Sequence, residues 1–280
     1  MDMNKMGMNV QSLVFLMCVS CLIAGCAGIH DSTTDSHWQI FQELCDANWK
    51  EIFFDSCTED WSDRWTLDGL KAKVTNSDKG MDFKAGPIRR ENASHAVMWT
   101  KESFAGNIRI DYEYTKLEDV VEAVTILYIQ ATGSGAEGYG KDISNWADKR
   151  EVASMGKYFN HMNLYHISYA AFEVGNIDPA KDYIRARRYI PESSIGLANT
   201  GLKPDYFETG LFKKGIPHKI TVIKKGYDLF MYIRNPEKEQ LCYWKTDAFP
   251  PILEGRIGLR HMWTRCARYR NFRISQLNDQ

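Results

Sequence analysis

The chain has 280 residues, of which 35 are basic and 36 acidic, giving a formal net charge of −1. That balance excludes nucleic acid as the expected partner and gives no general attraction to a strongly anionic surface. The length allows one large core, and 44% of the residues are hydrophobic.

Residues 1–25 read as a targeting segment. Lys5 supplies the positive start, Leu13 to Ile23 is an apolar run too short to span a bilayer comfortably, and Ile23-Ala24-Gly25-Cys26 closes it. That tetrapeptide resembles a bacterial lipobox, which implies that Cys26 is acylated and that the membrane is a partner through a lipid anchor. The chain is therefore expected in the bacterial cell envelope, lipid-anchored on the outer membrane, facing either the periplasm or the surface. Residues 26–37 hold the lipidated Cys26 and a small, polar tether. Residues 38–280 show no internal linker and read as one domain. Four cysteines remain in it, Cys45, Cys57, Cys242 and Cys266. Their spacing matches no zinc motif; pairing Cys45 with Cys57 and Cys242 with Cys266 is one of three disulfide arrangements, and four buried free thiols are the alternative.

The domain opens on Trp38, Phe41, Leu44 and Cys45, a helical spacing that predicts a short amphipathic helix over 38–49. Strands follow. Lys50 to Asp55 leads to Trp61, Trp65 and Leu67-Asp68-Gly69, where Asp-Gly predicts a hairpin. Short strands are expected at 70–75, 81–84 and 95–100. Residues 107–115 alternate cleanly, and 122–132 is apolar throughout, which predicts burial on both faces. The stretch 133–161 breaks this rhythm with Gly133, Gly135, Gly138 and Gly140, then Trp146, Tyr158, Phe159 and His161. A long insertion with that aromatic content is expected to form a partly helical lid or wall over a sheet face, its glycines serving loop flexibility. Beyond residue 189 a polar loop is followed by regular strands to 275. Many short strands with turn signals and almost no helical period predict an all-β, antiparallel β-sandwich of the jelly-roll kind.

The centre of the chain carries the ligand signal. On a strand from Tyr183 to Tyr189, the alternation puts Tyr183, Arg185, Arg187 and Tyr189 on one face. Two guanidinium groups between two phenols suit a ligand with hydroxyls, apolar ring faces and carboxylates. The preceding segment, Met162 to Phe172, is a second strand. Tyr165 and His166 point to opposite faces of it, so only one can join the stripe.

Several phrases together resemble the YesU-like proteins. These are Phe53-Phe54-Asp55, Trp65-Thr-Leu-Asp-Gly69, His95-Ala-Val-Met-Trp-Thr100, Ile110-Asp-Tyr-Glu-Tyr-Thr115, Met162 to Phe172, Gly255-Arg-Ile-Gly-Leu-Arg260 and Arg270-Asn-Phe-Arg-Ile274. The YesU-like proteins are a bacterial domain-of-unknown-function family with a concanavalin A-like lectin/glucanase fold, associated with gene clusters for pectic polysaccharide use. The resemblance implies two curved sheets and a concave face that holds a polysaccharide or oligosaccharide; it carries over no established reaction.

Hydrolases of that fold carry a Glu-x-Asp-x-Glu strand, which this chain lacks. Asp111 and Glu113 share a strand face at about 7 Å, with Arg109 beside them, and read better as a solvated outer face. Elimination on a uronate needs a base, a cation for the carboxylate and an acid. The chain offers His166 with Arg185, Arg187 and Tyr189 as the expected catalytic set. Trp146, His161, Tyr183, His261, Trp263 and Arg265 are the expected substrate-binding residues, the last three at a turn reaching the cleft edge. No cofactor and no metal ligands are expected from the spacing, with a structural calcium on a rim loop left open. The expected function is cleavage of a uronate-containing, pectin-like glycan by an extracytoplasmic lipoprotein; the alternative is a non-catalytic carbohydrate-binding lipoprotein.

Overall fold

The computed structural model describes residues 32–193 and 195–278. Cys26 and the targeting segment lie outside the described residues. In chain order the strands are β1 (Trp49–Asp55), β2 (Trp65–Asp68), β3 (Lys73–Ser77), β4 (Gly80–Lys84), β5 (Ala96–Thr100), β6 (Phe104–Ala105), β7 (Ile108–Lys116), β8 (Ala123–Gly133), β9 (Met162–Phe172), β10 (Tyr183–Tyr189), β11 (Gly201–Phe207), β12 (Pro217–Lys225), β13 (Asp228–Arg234), β14 (Glu239–Lys245), β15 (Glu254–His261) and β16 (Cys266–Leu277). Helix α1 (Ser32–Cys45) precedes them and α2 (Met155–His161) lies between β8 and β9.

The strands form two antiparallel sheets. Sheet A runs β14-β13-β12-β7-β16-β4-β3 with β1 also on β16, and sheet B runs β11-β10-β9-β8-β15-β5-β2 with β6 also on β15. The main core lies between them. Ile110, Tyr112, Ile220, Met231 and Ile274 of sheet A pack with Leu127, Ile129, Tyr165, Ile167 and Leu259 of sheet B. In β7 every second residue is buried, as its alternation predicts, while nearly all of β8 is buried because both of its faces are covered. The architecture is thus the antiparallel β-sandwich that the turn-punctuated strand pattern implies.

Each sheet has a cover on its outer side. Helix α1 starts at Ser32, earlier than expected, so residues 32–37 of the expected tether are helical. It lays Phe41 and Leu44 on Ile223, Phe230 and Leu241 of sheet A, and the His37 ring lies tilted against Tyr243 at 4.0 Å. The helix stops at Cys45 because Trp49 enters β1 and its indole N–H takes the Leu44 carbonyl (2.6 Å).

On sheet B the insertion of residues 134–161 folds down, as expected of a lid or wall. Ile143, Trp146, Ala153 and Tyr158 bury Val97, Trp99, Ile126, Tyr128, Leu164 and Tyr189 in a second apolar cluster. Gly133, the last residue of β8, serves close packing, not flexibility: a Cβ there would stand 2.0 Å from the Gly140 carbonyl oxygen.

One further expectation changes, and one open alternative is resolved. Asp68-Gly69 is not a hairpin, since β2 belongs to sheet B and β3 to sheet A; the hairpin lies at β3–β4, where Ser77 pairs with Gly80. Of the two alternatives for the cysteines, the free thiols are found: all four cysteines of the described residues are unpaired, Cys57 and Cys242 fully buried and Cys45 and Cys266 partly so.

Candidate functional site

The register of sheet B builds the site. Arg187 of β10 pairs with His166 of β9, His166 with Tyr128 of β8, Tyr128 with Gly258 of β15, and Gly258 with Trp99 of β5. One row thus crosses the outer face from a half-exposed arginine to a buried indole. A second row runs from Arg185 through Ser168 and Ile126 to Arg260. Tyr183 and Tyr189 join the insertion's apolar cluster on the same face, so the stripe read from alternation is present. Tyr165 points the other way, into the main core.

The face has an open part and a covered part. In the open part, β10, β11 and the turn at Leu197–Thr200 surround a bowl of 360 Å³ lined by Arg185, Arg187, Asn199, Lys203 and Asp205. Three cations face one carboxylate. Asp205 accepts from Arg185 Nε (3.0 Å) and Lys203 Nζ (3.1 Å), and Arg185 also lies 3.5 Å from Glu173 and 4.5 Å from the Tyr183 ring centre. The contact of Arg187 is with a neutral group: its Nη1 donates to the Leu197 carbonyl (2.8 Å). Among the described residues no carboxylate forms an ion pair with it.

Across the same turn lies a cavity of 190 Å³ lined by Phe159, His161, Glu192 and Thr200 among others. The His161 ring stacks on Tyr139 at 3.7 Å and 3°, with Nδ1 3.5 Å from Glu192 Oε1. Ser134 Oγ donates to the same oxygen (2.9 Å).

The covered part holds the expected base, and seals it. His166 is 2% exposed. Its Nδ1 shares a 2.6 Å hydrogen bond with the Tyr189 hydroxyl and its Nε2 another with Ser168 Oγ. Burial holds the imidazole well below its ordinary pKa, and the nearby positive charges of Arg187, Arg260 and Arg185 push the same way. Burial drives the Tyr189 phenol far upward. His166 and Tyr189 are brought together beside Arg187, but as a closed neutral pair with no face open to a substrate. The catalytic reading of that pair is corrected accordingly: His166 lies beside Arg187 on the sheet and Tyr189 under the insertion's cluster.

Five of the six expected substrate-binding residues are also buried. Trp146 is buried in the insertion, its indole N–H on the Gly140 carbonyl (3.0 Å) and Arg150 over its ring. His261 stacks on Phe83 (4.5 Å) and bonds the Tyr269 hydroxyl, in the main core. Trp263 is buried, and Arg265, fully buried, donates to the Ala170 carbonyl (2.6 Å) and pairs with Glu118 (3.1 Å). His261, Trp263 and Arg265 thus brace the β15–β16 connection instead of reaching a cleft edge. Tyr183, on the outer face of β10, is closed into the insertion's apolar cluster, whereas His161 lines its cavity.

Sequence reasoning missed Asp68. One oxygen, Oδ2, accepts from Trp99 Nε1 (2.7 Å), Arg150 Nε (2.7 Å) and the Tyr158 hydroxyl (2.9 Å). Burial pushes its carboxyl upward, against the pull of Arg150. An Asp-Gly pair read as a turn masks such a role; only an Asp at a strand end beside a buried Trp-rich strand could have hinted at it.

On the outer face of sheet A, a cleft of 490 Å³ beside α1 contains the Arg109, Asp111 and Glu113 strand. Asp111 is chelated by Arg109 (2.7 and 3.1 Å) and takes the Thr221 hydroxyl (2.6 Å). Its lone pairs are spent on structure. Among the described residues no group of three or more His, Cys, Asp or Glu could hold a metal ion.

A family model matches residues 54–274, from β1 to β16. The chain belongs to the family described as a domain of unknown function, DUF1961. This is a family of unknown function, as the resemblance implied. No curated protein matches this DUF1961 chain. Among solved structures, a protein of unknown function with a galectin-like fold from Bacillus subtilis is similar at 18% identity and a TM-score of 0.62, over 83% of this chain and 100% of that one. The exoplasmic/lumenal domain of VIP36, in a Ca²⁺/Man3GlcNAc-bound form, is similar at 10% identity and TM-score 0.52, over 83% and 92%. The lectin UEA-II complexed with galactose is similar at 9% identity and TM-score 0.50, over 81% and 100%. The DUF1961 domain therefore has the lectin-type sandwich, of the galectin and concanavalin A-like kind.

Proposed function

We propose that this protein is a carbohydrate-binding protein that takes an acidic, uronate-containing saccharide in the bowl between β10, β11 and the Leu197–Thr200 turn. The observation that carries the reading is the imbalance of that bowl, three cations against one carboxylate, on the uncovered part of a lectin-type sheet. Arg187 offers its fork to a sugar carboxylate, Asn199 offers an amide to hydroxyls, and Asp205 holds Arg185 in place. The neutral sugars bound by two structural relatives, VIP36 and UEA-II, support a saccharide ligand in general; the acidic character rests on the cations of the bowl. A binder needs no titrating group against the ligand, which agrees with a His166 kept neutral and enclosed.

Affinity gel electrophoresis with polygalacturonate, alginate and a neutral glucan tests this. Retardation by an acidic polymer, absent for the glucan and lost in Arg187→Ala, is expected. Equal migration in all three gels would sink it.

A second reading, cleavage of the same glycan, has one observation in its favour: His161 and Glu192 form an open acid–base pair at 3.5 Å in the cavity next to the bowl. Ultraviolet absorbance of an unsaturated uronate, appearing with the native protein and gone in His161→Ala, would establish elimination. We also infer that the protein sits in the bacterial envelope through acylated Cys26, a reading that rests on Ile23-Ala24-Gly25-Cys26. Cys26→Ser should move it from the membrane fraction to the soluble fraction; an unchanged distribution removes the anchor.

A further inference from the structure

Beneath the insertion, sheet B carries groups that a simple apolar cover does not require. Trp99 lies flat on the sheet because residue 258 has no side chain: a Cβ there would stand 2.5 Å from the indole. Trp99 stacks with Tyr128 (5.5 Å, 11°) to form a two-ring platform. Tyr158 of the insertion lies parallel to both rings, at 6.3 Å and 5.9 Å. Its hydroxyl donates to Asp68, and the guanidinium of Arg260 sits 4.5 Å from its ring centre. Arg260 is fully buried and gives Nη2 to His95 (2.8 Å) and the Ala153 carbonyl (2.7 Å). Among the described residues its Nε and Nη1 make no hydrogen bond of good geometry, the guanidinium only approaching the Tyr128 hydroxyl. Two buried guanidinium nitrogens without a well-made hydrogen bond are costly unless something else can take their protons.

A flat ring on an aromatic platform, a rim hydroxyl held by a carboxylate and an arginine with spare donors beside it are the contacts a sugar ring would make. We propose that Tyr158 stands in for one: sheet B has a second saccharide subsite, made of Trp99, Tyr128, Asp68 and Arg260, which the insertion covers and a long acidic oligosaccharide displaces. The row from Arg187 through His166, Tyr128 and Gly258 to Trp99 joins the bowl to this subsite over about 19 Å, four strand spacings. Arg150 is the clamp, since its Nε binds Asp68 while its Nη1 holds the Ile143 and Trp146 carbonyls of its own segment. The proposal rests on the bowl being a saccharide site.

The test compares digalacturonate, which fills the bowl alone, with hexagalacturonate, by calorimetry on the native protein and on Arg150→Met. The expected result is an unchanged digalacturonate affinity and a hexagalacturonate affinity roughly tenfold tighter in the variant, because less of the protein is held in the covered state. Amide hydrogen exchange over residues 150–161 should speed up when hexagalacturonate, but not digalacturonate, is added to the native protein. If Arg150→Met fails to fold, Tyr158→Phe, which removes only the hydroxyl bond, takes its place. Digalacturonate binding with no gain for hexagalacturonate in either protein, and no change in exchange, would overturn the covered subsite and leave the bowl standing. Binding of neither oligosaccharide to either protein would overturn both.

Discussion

Asp68 and Arg150 form an ion pair of 2.7 Å with side chains 3% and 2% exposed, joining the end of β2 to the insertion 82 residues later. It anchors the part of the chain that divides sheet B into an open and a covered face. A buried pair is weak evidence for net stability, but removal of one partner strands the other charge away from water. Asp68→Asn should therefore cost about 3–5 kcal/mol, whereas a double Asp68→Asn, Arg150→Met protein should recover part of it. Chemical denaturation of the three proteins measures this; a loss below about 1 kcal/mol in the single variant would mean that the pair is not closed in solution.

Four histidines are buried in their neutral form. Burial holds His95 at about 3, with Arg260 adding to the effect; burial holds His218 at about 4 and His261 at about 3, with Arg265 contributing to the latter, and His166 lies well below its ordinary value. The unfolded chain protonates them near pH 6.5 and the folded one does not until far lower. Their contribution is thus complete above pH 6.5 and is lost as pH falls toward 4 and 3, each costing up to about 1.4 kcal/mol per pH unit in that window. Melting temperatures recorded from pH 7 to pH 4.5 should fall steadily. A flat profile would show that these rings reach solvent.

Arg187 separates binding from stability. It is half-buried at the bowl and held by one carbonyl, so Arg187→Ala should lower affinity for an acidic oligosaccharide roughly 10–100-fold, as loss of a central arginine anchor does. Its effect on unfolding should stay near 0.5 kcal/mol. Arg187→Lys keeps the charge and loses the fork, and should fall between. Affinities that are indifferent to salt would contradict a charge-driven contact.

The four thiols make a simple check. Cys57 and Cys242 are buried and Cys45 and Cys266 partly so, none within a disulfide. Burial raises the Cys45 thiol and pushes Cys266 to about 11, with Glu118 and Asp82 adding to the latter, so all four should react slowly with thiol reagents in the native state and fully once unfolded. A reducing agent should leave the melting temperature unchanged. A drop on reduction would establish a bridge that this fold does not contain.

Much of this was legible from short-range pattern. The alternation in Ile108–Lys116 names its buried face, the apolar run in Ala123–Gly133 announces two covered faces, and the aromatic content of residues 133–161 announces what covers one of them. Alternation alone also puts Tyr183, Arg185, Arg187 and Tyr189 on one side of β10. These are properties of single segments, set by the two-residue period of a strand and by hydrophobic burial.

What a segment's neighbours do to its side chains was not legible. His166 and Arg187 look equally available in the sequence, yet a few ångströms of insertion leave one enclosed and the other at a bowl. Asp68 reads as half of a turn until residues from β5 and the insertion converge on its carboxylate, and His261, Trp263 and Arg265 read as an exposed turn until β16 folds them inward. The sequence by itself determined the sandwich and the stripe, because periodicity is local. Only the tertiary structure decided which polar groups meet water, because solvent exposure depends on contacts between residues far apart in the chain.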